Sequence, residues 1–191
     1  VHPKPTTAKV KITGLLLSFL GAVLLLSACT PSSSAARNAG DDRSLSAKES
    51  DAASAAPDFN LKNLEGEAVQ LHDFKGEKVY IKYWASWCSI CLAGLEELNQ
   101  LAGEDPDFKV ISIVSPDFKG EKSAEDFSKW YKSMDEKNLT VLLDPDGTYA
   151  QQFGVRAYPT SLYIDTKGKL AKTVLGHNSN DLIRETVAQI Q

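Results

Sequence analysis

Hydrophobic and polar positions divide the chain into three stretches. Residues 12–28 carry no charge and are mostly aliphatic, whereas between residues 30 and 57 any apolar period disappears. Fifteen of those 28 residues are Ser or Ala, and Leu45 is the only large aliphatic among them. Such a segment cannot bury enough surface to offset its ordering entropy, so it reads as a flexible tether or a frayed helical stalk. From residue 57 to 191 both strand-like and helix-like periods return, over a length sufficient for one core.

Within that last stretch, residues 59–61 and 68–71 are short apolar runs around the turn signal Gly66, which predicts a small β-hairpin. Residues 79–85 form a dense aromatic and β-branched run, the pattern of a central strand. Leu95, Leu98 and Leu101 recur at helical spacing and predict a helix over 89–102. Residues 110–114 predict a strand, and Phe127, Trp130, Tyr131 and Met134 a second helical stripe. A strand over 139–143 ends at the turn Asp144-Pro145-Asp146-Gly147 and precedes a short helix over 149–153. Residues 160–164 and 170–175 predict a hairpin through Asp165-Thr166-Lys167-Gly168. Ser179 or Asn180 can cap a last helix carrying Leu182, Ile183, Val187 and Ile190. Strands alternating with helices predict an α/β fold with a central mixed sheet covered on both faces.

Charge sharpens the reading of the N-terminal stretch. The chain has 21 Lys and Arg against 25 Asp and Glu, a net −4, which argues against a polybasic nucleic-acid binder. Lys4, Lys9 and Lys11 all precede the apolar run, and no acidic residue does. A basic start followed by an aliphatic run and small residues is the order of a secretory signal. Seventeen uncharged residues also stand at the lower limit for a bilayer-spanning helix, so an uncleaved anchor is the alternative. Leu26-Ser27-Ala28-Cys29 resembles the lipobox of bacterial lipoproteins, in which the cysteine is lipidated and becomes the first mature residue. The expected organisation is a signal peptide over 1–28, a lipid-anchored tether over 29–56 and a folded domain over 57–191. The remainder would carry 18 basic and 25 acidic residues, a net −7, and the tether would span about 30 Å on average.

Three cysteines, at 29, 88 and 91, are too sparse for a disulfide-stapled miniprotein. Cys88 and Cys91 fall where the predicted strand gives way to a helix. Three apart on a helix, they lie about one turn from each other on one face, close enough for a disulfide. Cys88 at the helix start should be the better stabilised thiolate and the attacking nucleophile, with Cys91 as resolving thiol. Zinc needs four ligands in a structural site, and His2, His72 and His177 are scattered. A copper carrier would want a further ligand, and a purely structural bridge of this span closes too short a loop to constrain the unfolded chain much.

Tyr83-Trp84-Ala85-Ser86-Trp87-Cys88-Ser89-Ile90-Cys91 resembles the active-site segment of thioredoxins, and Phe153-Gly154-Val155-Arg156-Ala157-Tyr158-Pro159-Thr160 resembles their cis-proline loop. The N-terminal hairpin, a central insert around 116–146 and the lipoprotein leader are similar to the TlpA/ResA branch of extracytoplasmic thioredoxin-like proteins. The resemblance spans about residues 57–191 and implies a thioredoxin fold with dithiol–disulfide exchange through a Cys88–Cys91 couple, needing neither cofactor nor metal. It implies a cis Pro159, with Trp87, Tyr158 and Pro159 shaping and pairing with an extended client segment, while Trp84 is core. It further implies a monomer on the outer face of a bacterial cell membrane, reducing exported clients such as a methionine sulfoxide reductase or apocytochrome c. Its electrons would come from a membrane thiol carrier of the CcdA/DsbD type. An oxidant is the rival direction, and a thiol-dependent metal carrier or redox-sensing binder the rival class.

Three positions depart from the family pattern. Ile90 stands where many relatives have Pro. Lys82 replaces a buried Asp, and either favours thiolates as an ammonium or reaches solvent and tunes nothing. Gly94 stands where ResA-like proteins often carry Glu, and Glu96 and Glu97 read as exposed helix residues.

Overall fold

The computed structural model describes residues 54–191 apart from 105, 135 and 136. The leader, Cys29 and most of the tether lie outside the described residues. Asn60–Asn63 (β1) and Ala68–Gln70 (β2) form the N-terminal hairpin, whose turn uses Gly66 at φ +86°. A 3-10 turn follows, and then Val79–Trp84 (β3), buried at every position. Lys109–Val114 (β4) and Thr140–Leu143 (β5) run parallel to it, whereas Thr160–Ile164 (β6) pairs antiparallel with β3 and turns back in a hairpin to Leu170–Leu175 (β7). The seven strands make one mixed sheet in the order β2-β1-β5-β4-β3-β6-β7. The N-terminal hairpin joins it through β1, which pairs antiparallel with β5.

The strand alternation of β3 divides the interior between the two faces of the sheet. Tyr80 and Trp84 face one side, where Leu95, Leu98, Phe127, Tyr131, Ile183 and Val187 pack over them. Those residues belong to Leu95–Gly103 (α2), Ala124–Lys132 (α3) and Asn180–Gln189 (α5), after Ser89–Ala93 (α1) has left the end of β3. Val79, Ile81 and Tyr83 face the other side, against Phe59, Leu71 and the short helix Thr148–Gln152 (α4) with the following Phe153 and Val155. Ser123 and Ser179 cap α3 and α5 by accepting from Asp126 N and Leu182 N.

The expected single helix over 89–102 is two helices. Gly94, at φ −104° and ψ 13°, ends α1 and starts α2. The absence of a side chain there lets the His177 ring press against the backbone. The turn after β5 is a 3-10 turn in which Asp146 and Gly147 both have positive φ. Asp144 holds it, accepting from Tyr149 N at 3.0 Å and Ala150 N at 2.7 Å. Before Pro57 the chain is already paired to the sheet margin: Leu170 N donates to Ser54 O and Ala56 N to Gly168 O.

Candidate active site

The site forms where β3 ends. Ala85 O accepts from Cys88 N at 3.1 Å, turning the chain into α1 with Cys88 as its N-cap. Cys88 and Cys91 are joined in a disulfide, S–S 2.09 Å, with Cα atoms 5.2 Å apart. The two sulfurs are unequal. Cys88 retains 8% exposure and accepts the Cys91 N–H at 3.2 Å, whereas Cys91 is fully buried in the cluster beneath. A backbone N–H aimed at the Cys88 sulfur favours negative charge there when the bridge is open.

The cis-proline loop meets the active-site segment at Trp87, the residue before Cys88. The Tyr158–Pro159 peptide bond is cis, and Pro159 O accepts from Gly176 N at 2.8 Å. Tyr158 meets Trp87 with ring centroids 5.9 Å apart. Trp87 (52% exposed) and Ile90 (60%) rise from the protein as an apolar rim around the thiols. Trp84 is instead wholly buried against Phe127, Trp130 and Tyr131.

Lys82 does not reach solvent. It is 2% exposed on the same face of β3 as Tyr80 and Trp84, the face that carries Cys91. Its register partners are Ser112 on β4 and Ser161 on β6, both buried, so a polar row crosses three strands under the active-site helices. Burial lowers the Lys82 ammonium from its ordinary range to about 8, partly opposed by Glu97. Glu97 in turn differs from the expected exposed helix residue. It is half-buried, takes the Asn180 N–H at 2.8 Å and stands 3.2 Å from His177 Nε2, tying α2 to the start of α5.

Sequence reasoning missed a second charged group, one that holds the segment just before Cys88. Glu121, from the loop after β4, is 7% exposed and accepts the Ser86 N–H at 2.5 Å and the Ser86 hydroxyl at 2.6 Å. Lys122 Nζ completes the set by donating to Ser86 Oγ at 2.6 Å. No periodicity announces these residues, since they lie in a loop more than thirty positions from Ser86; the run Gly120-Glu121-Lys122 looks like an ordinary solvated turn.

Comparison with known proteins places this arrangement among redox proteins. The family model described as Redoxin matches residues 51–190. The thiol-disulfide oxidoreductase ResA of Bacillus subtilis (strain 168) is 31% identical over 133 residues, covering 68% of this chain and 70% of that protein. The crystal structure of the pneumococcal exposed lipoprotein thioredoxin Etrx1, from Streptococcus pneumoniae strain TIGR4, superposes with a TM-score of 0.68 at 48% identity. It covers 70% of this chain and 99% of that one. The N-terminal domain of PilB from Neisseria gonorrhoeae gives a TM-score of 0.63 at 27% identity, covering 68% and 87%.

Proposed function

Since the chain belongs to the Redoxin family and is a thioredoxin-fold thiol-disulfide oxidoreductase of the ResA type, we propose that it reduces disulfides of exported proteins through Cys88 and Cys91. The observation that carries this direction of attack is the inequality of the two sulfurs, with Cys88 reachable and hydrogen-bonded to Cys91 N, and Cys91 enclosed.

In the reaction, the Cys88 thiolate attacks one sulfur of the client disulfide. The client S–S bond breaks, a mixed disulfide forms on Cys88, and the released client thiolate takes a proton. Cys91 loses its proton and attacks Cys88 Sγ, expelling the second client thiolate. The client gains two electrons and two protons, and the protein is left with the Cys88–Cys91 bridge found here. Trp87 and Tyr158 supply the apolar contact surface, and the backbone at Tyr158 and Pro159 pairs with an extended client segment. The Lys82 ammonium, buried on the face of β3 that packs toward the Cys91 cluster, favours the thiolate forms.

The lipobox-like Leu26-Ser27-Ala28-Cys29 supports release of residues 1–28 and lipid attachment at Cys29, with 29–56 as tether. The resemblance to the exposed lipoprotein Etrx1 supports a position on the outer face of the bacterial membrane. There a membrane thiol carrier of the CcdA/DsbD type would restore the dithiol, and a methionine sulfoxide reductase or apocytochrome c would consume it.

The test is a Cys91→Ser variant expressed in cells. Mixed disulfides through Cys88 should accumulate, and their absence would remove the assigned mechanism. A couple near −270 mV, about that of thioredoxin, fits a reductant, and one near about −120 mV an oxidant. A Cys29→Ala variant should lose membrane attachment after signal cleavage.

A further inference from the structure

The loop between β4 and α3, residues 115–123, touches both walls of the exchange site. One arm is Glu121, whose carboxylate holds Ser86, two residues before Cys88, through the backbone N–H and the hydroxyl. Directions in this network are fixed. The Ser86 hydroxyl donates to Glu121, so its lone pairs face Lys122 Nζ, while Lys122 N donates to Glu121 Oε1 at 2.7 Å. Both Ser86 donors and the Lys122 N–H meet the Glu121 carboxylate, and a buried carboxylate satisfied in this way rigidifies the segments that it joins. Lys122 Nζ also lies 5.2 Å from the Trp130 ring centroid, which fixes the far side of the network to α3.

The second arm is Lys119. Its Nζ donates to Val155 O and Arg156 O, both at 3.3 Å, and sits 5.7 Å from the Tyr158 ring centroid. Those carbonyls belong to the segment leading into Pro159. Between the arms the loop passes under Trp87, where a Cβ on Gly120 would come within 3.9 Å of the indole nitrogen. Asp117, Lys119 and Gly120 all have positive φ. Two non-glycine residues in that region are uncommon in so short a stretch and persist where surrounding contacts hold them. Here the contacts are Phe118, wedged against Gly147, and the hydrogen bonds Asp117 N to Lys122 O and Glu121 N to Phe118 O.

We propose that this loop is a clamp coupling the cysteine wall to the cis-proline wall, with Glu121 and Lys119 as its positioning residues, so that the slot for an extended client segment keeps one width. Neither residue touches the reacting sulfurs. Both act by holding the segments that do, and the clamp rests on the exchange reading above only in what the slot is for. Because a bridge fails when either end is released, removing one arm should loosen the opposite wall. Removing both should do little more than removing one.

Amide hydrogen exchange on the whole protein reads the coupling without any client. Lys119→Met, at an exposed position, should speed exchange of the Ser86 N–H about fivefold or more, although Lys119 makes no hydrogen bond to Ser86. Glu121→Gln should do the same to the Gly176 N–H, which reports the Pro159 carbonyl. Effects confined to the wall each residue touches overturn the clamp. In single-turnover reduction of a synthetic disulfide peptide by the pre-reduced protein, Lys119→Met should raise the half-saturating concentration about fivefold with the plateau rate within about twofold. Lys119→Arg should restore it, and the Lys119→Met, Glu121→Gln double variant should match the worse single variant. Additive losses, or a lowered Tm with an unchanged half-saturating concentration, overturn the proposal. A wild-type protein that reduces no disulfide overturns the exchange reading instead, and leaves the amide-exchange result to decide on the clamp.

Discussion

Gly94 and the His177 ring are packed so closely that a Cβ on Gly94 would come within 2.3 Å of His177 Cε1 and 2.4 Å of Nδ1. The ring is held there by Glu97, 3.2 Å from its Nε2, and α1 and α2 break at the glycine beneath it. In this chain the position where ResA-like proteins often carry a carboxylate is therefore filled by a histidine from the turn before α5.

Gly94→Ala should accordingly destabilise by about 1–3 kcal/mol, the usual effect of overpacking. In a His177→Ala background the same substitution should be neutral or stabilising by up to about 1 kcal/mol, because the clash is gone and the unfolded chain loses freedom. Urea denaturation of the four proteins closes the cycle. An equal effect of Gly94→Ala in both backgrounds contradicts this packing.

Lys82 should make stability depend on pH in one defined window. Burial brings its ammonium down to about 8 from an ordinary 10.5, so the fold disfavours the protonated form. Below pH 8 this penalty is fully present. Between about 8 and 10.5 the unfolded chain binds more protons and the penalty is relieved as pH rises, and above that window it is absent. Lys82→Met should therefore stabilise most near pH 7, by roughly 3 kcal/mol as the linkage limit for such a shift, and the gain should shrink toward zero near pH 10.5. Tyrosine titration affects both proteins alike, so the difference between their unfolding curves isolates Lys82. A gain that stays constant from pH 7 to 10.5 would assign the effect to packing.

The sheet and the thiol pair were legible in the sequence for a physical reason. Residues 79–84 are apolar or aromatic at five of six positions and lie buried on both faces of the sheet, so their period speaks directly of place. Lys82 is the sixth, and its burial could not be read, because a lysine in a strand looks the same whether it snorkels out or stays among Ser112 and Ser161. The helix break at Gly94 was hidden because Leu95, Leu98 and Leu101 keep their spacing across α2 alone. Glu97, Glu121 and Lys119 escaped because their partners are distant in sequence: Asn180, Ser86 and the carbonyls of Val155 and Arg156. Charged residues outside a periodic pattern reveal themselves only when tertiary contacts form.

Asp144 should matter for stability out of proportion to its place in a turn. It is fully buried and accepts from Tyr149 N and Ala150 N, with the Ser115 hydroxyl 3.4 Å away. Burial pushes its carboxyl above the ordinary range despite these donors. Asp144→Ala strands the two N–H groups at the start of α4 and should destabilise by about 2–3 kcal/mol, each unsatisfied donor contributing about 1–3 kcal/mol before relaxation. Thermal unfolding checks the magnitude. Loss of α4 should also loosen Phe153 and Val155, which lie on the way to Pro159, so client reduction should weaken in the same variant.

The two thiols should react in a fixed order once the bridge is reduced. Cys88 keeps 8% exposure and receives the Cys91 N–H, which favours a thiolate, while Cys91 has no exposed surface and sits among Leu95, Tyr80 and Trp84. Alkylation needs both a thiolate and a path to the reagent, and only Cys88 has both. Iodoacetamide added to the reduced protein near pH 7 should label Cys88 at least about tenfold faster than Cys91, as read by mass spectrometry of the digested chain. In Cys88→Ser the remaining Cys91 should label slowly, because removing its partner does not open the cluster above it. Rapid labelling of Cys91 in that variant would mean that the helix start opens when the disulfide is broken, and the order of attack would then have to be assigned from the reduced protein.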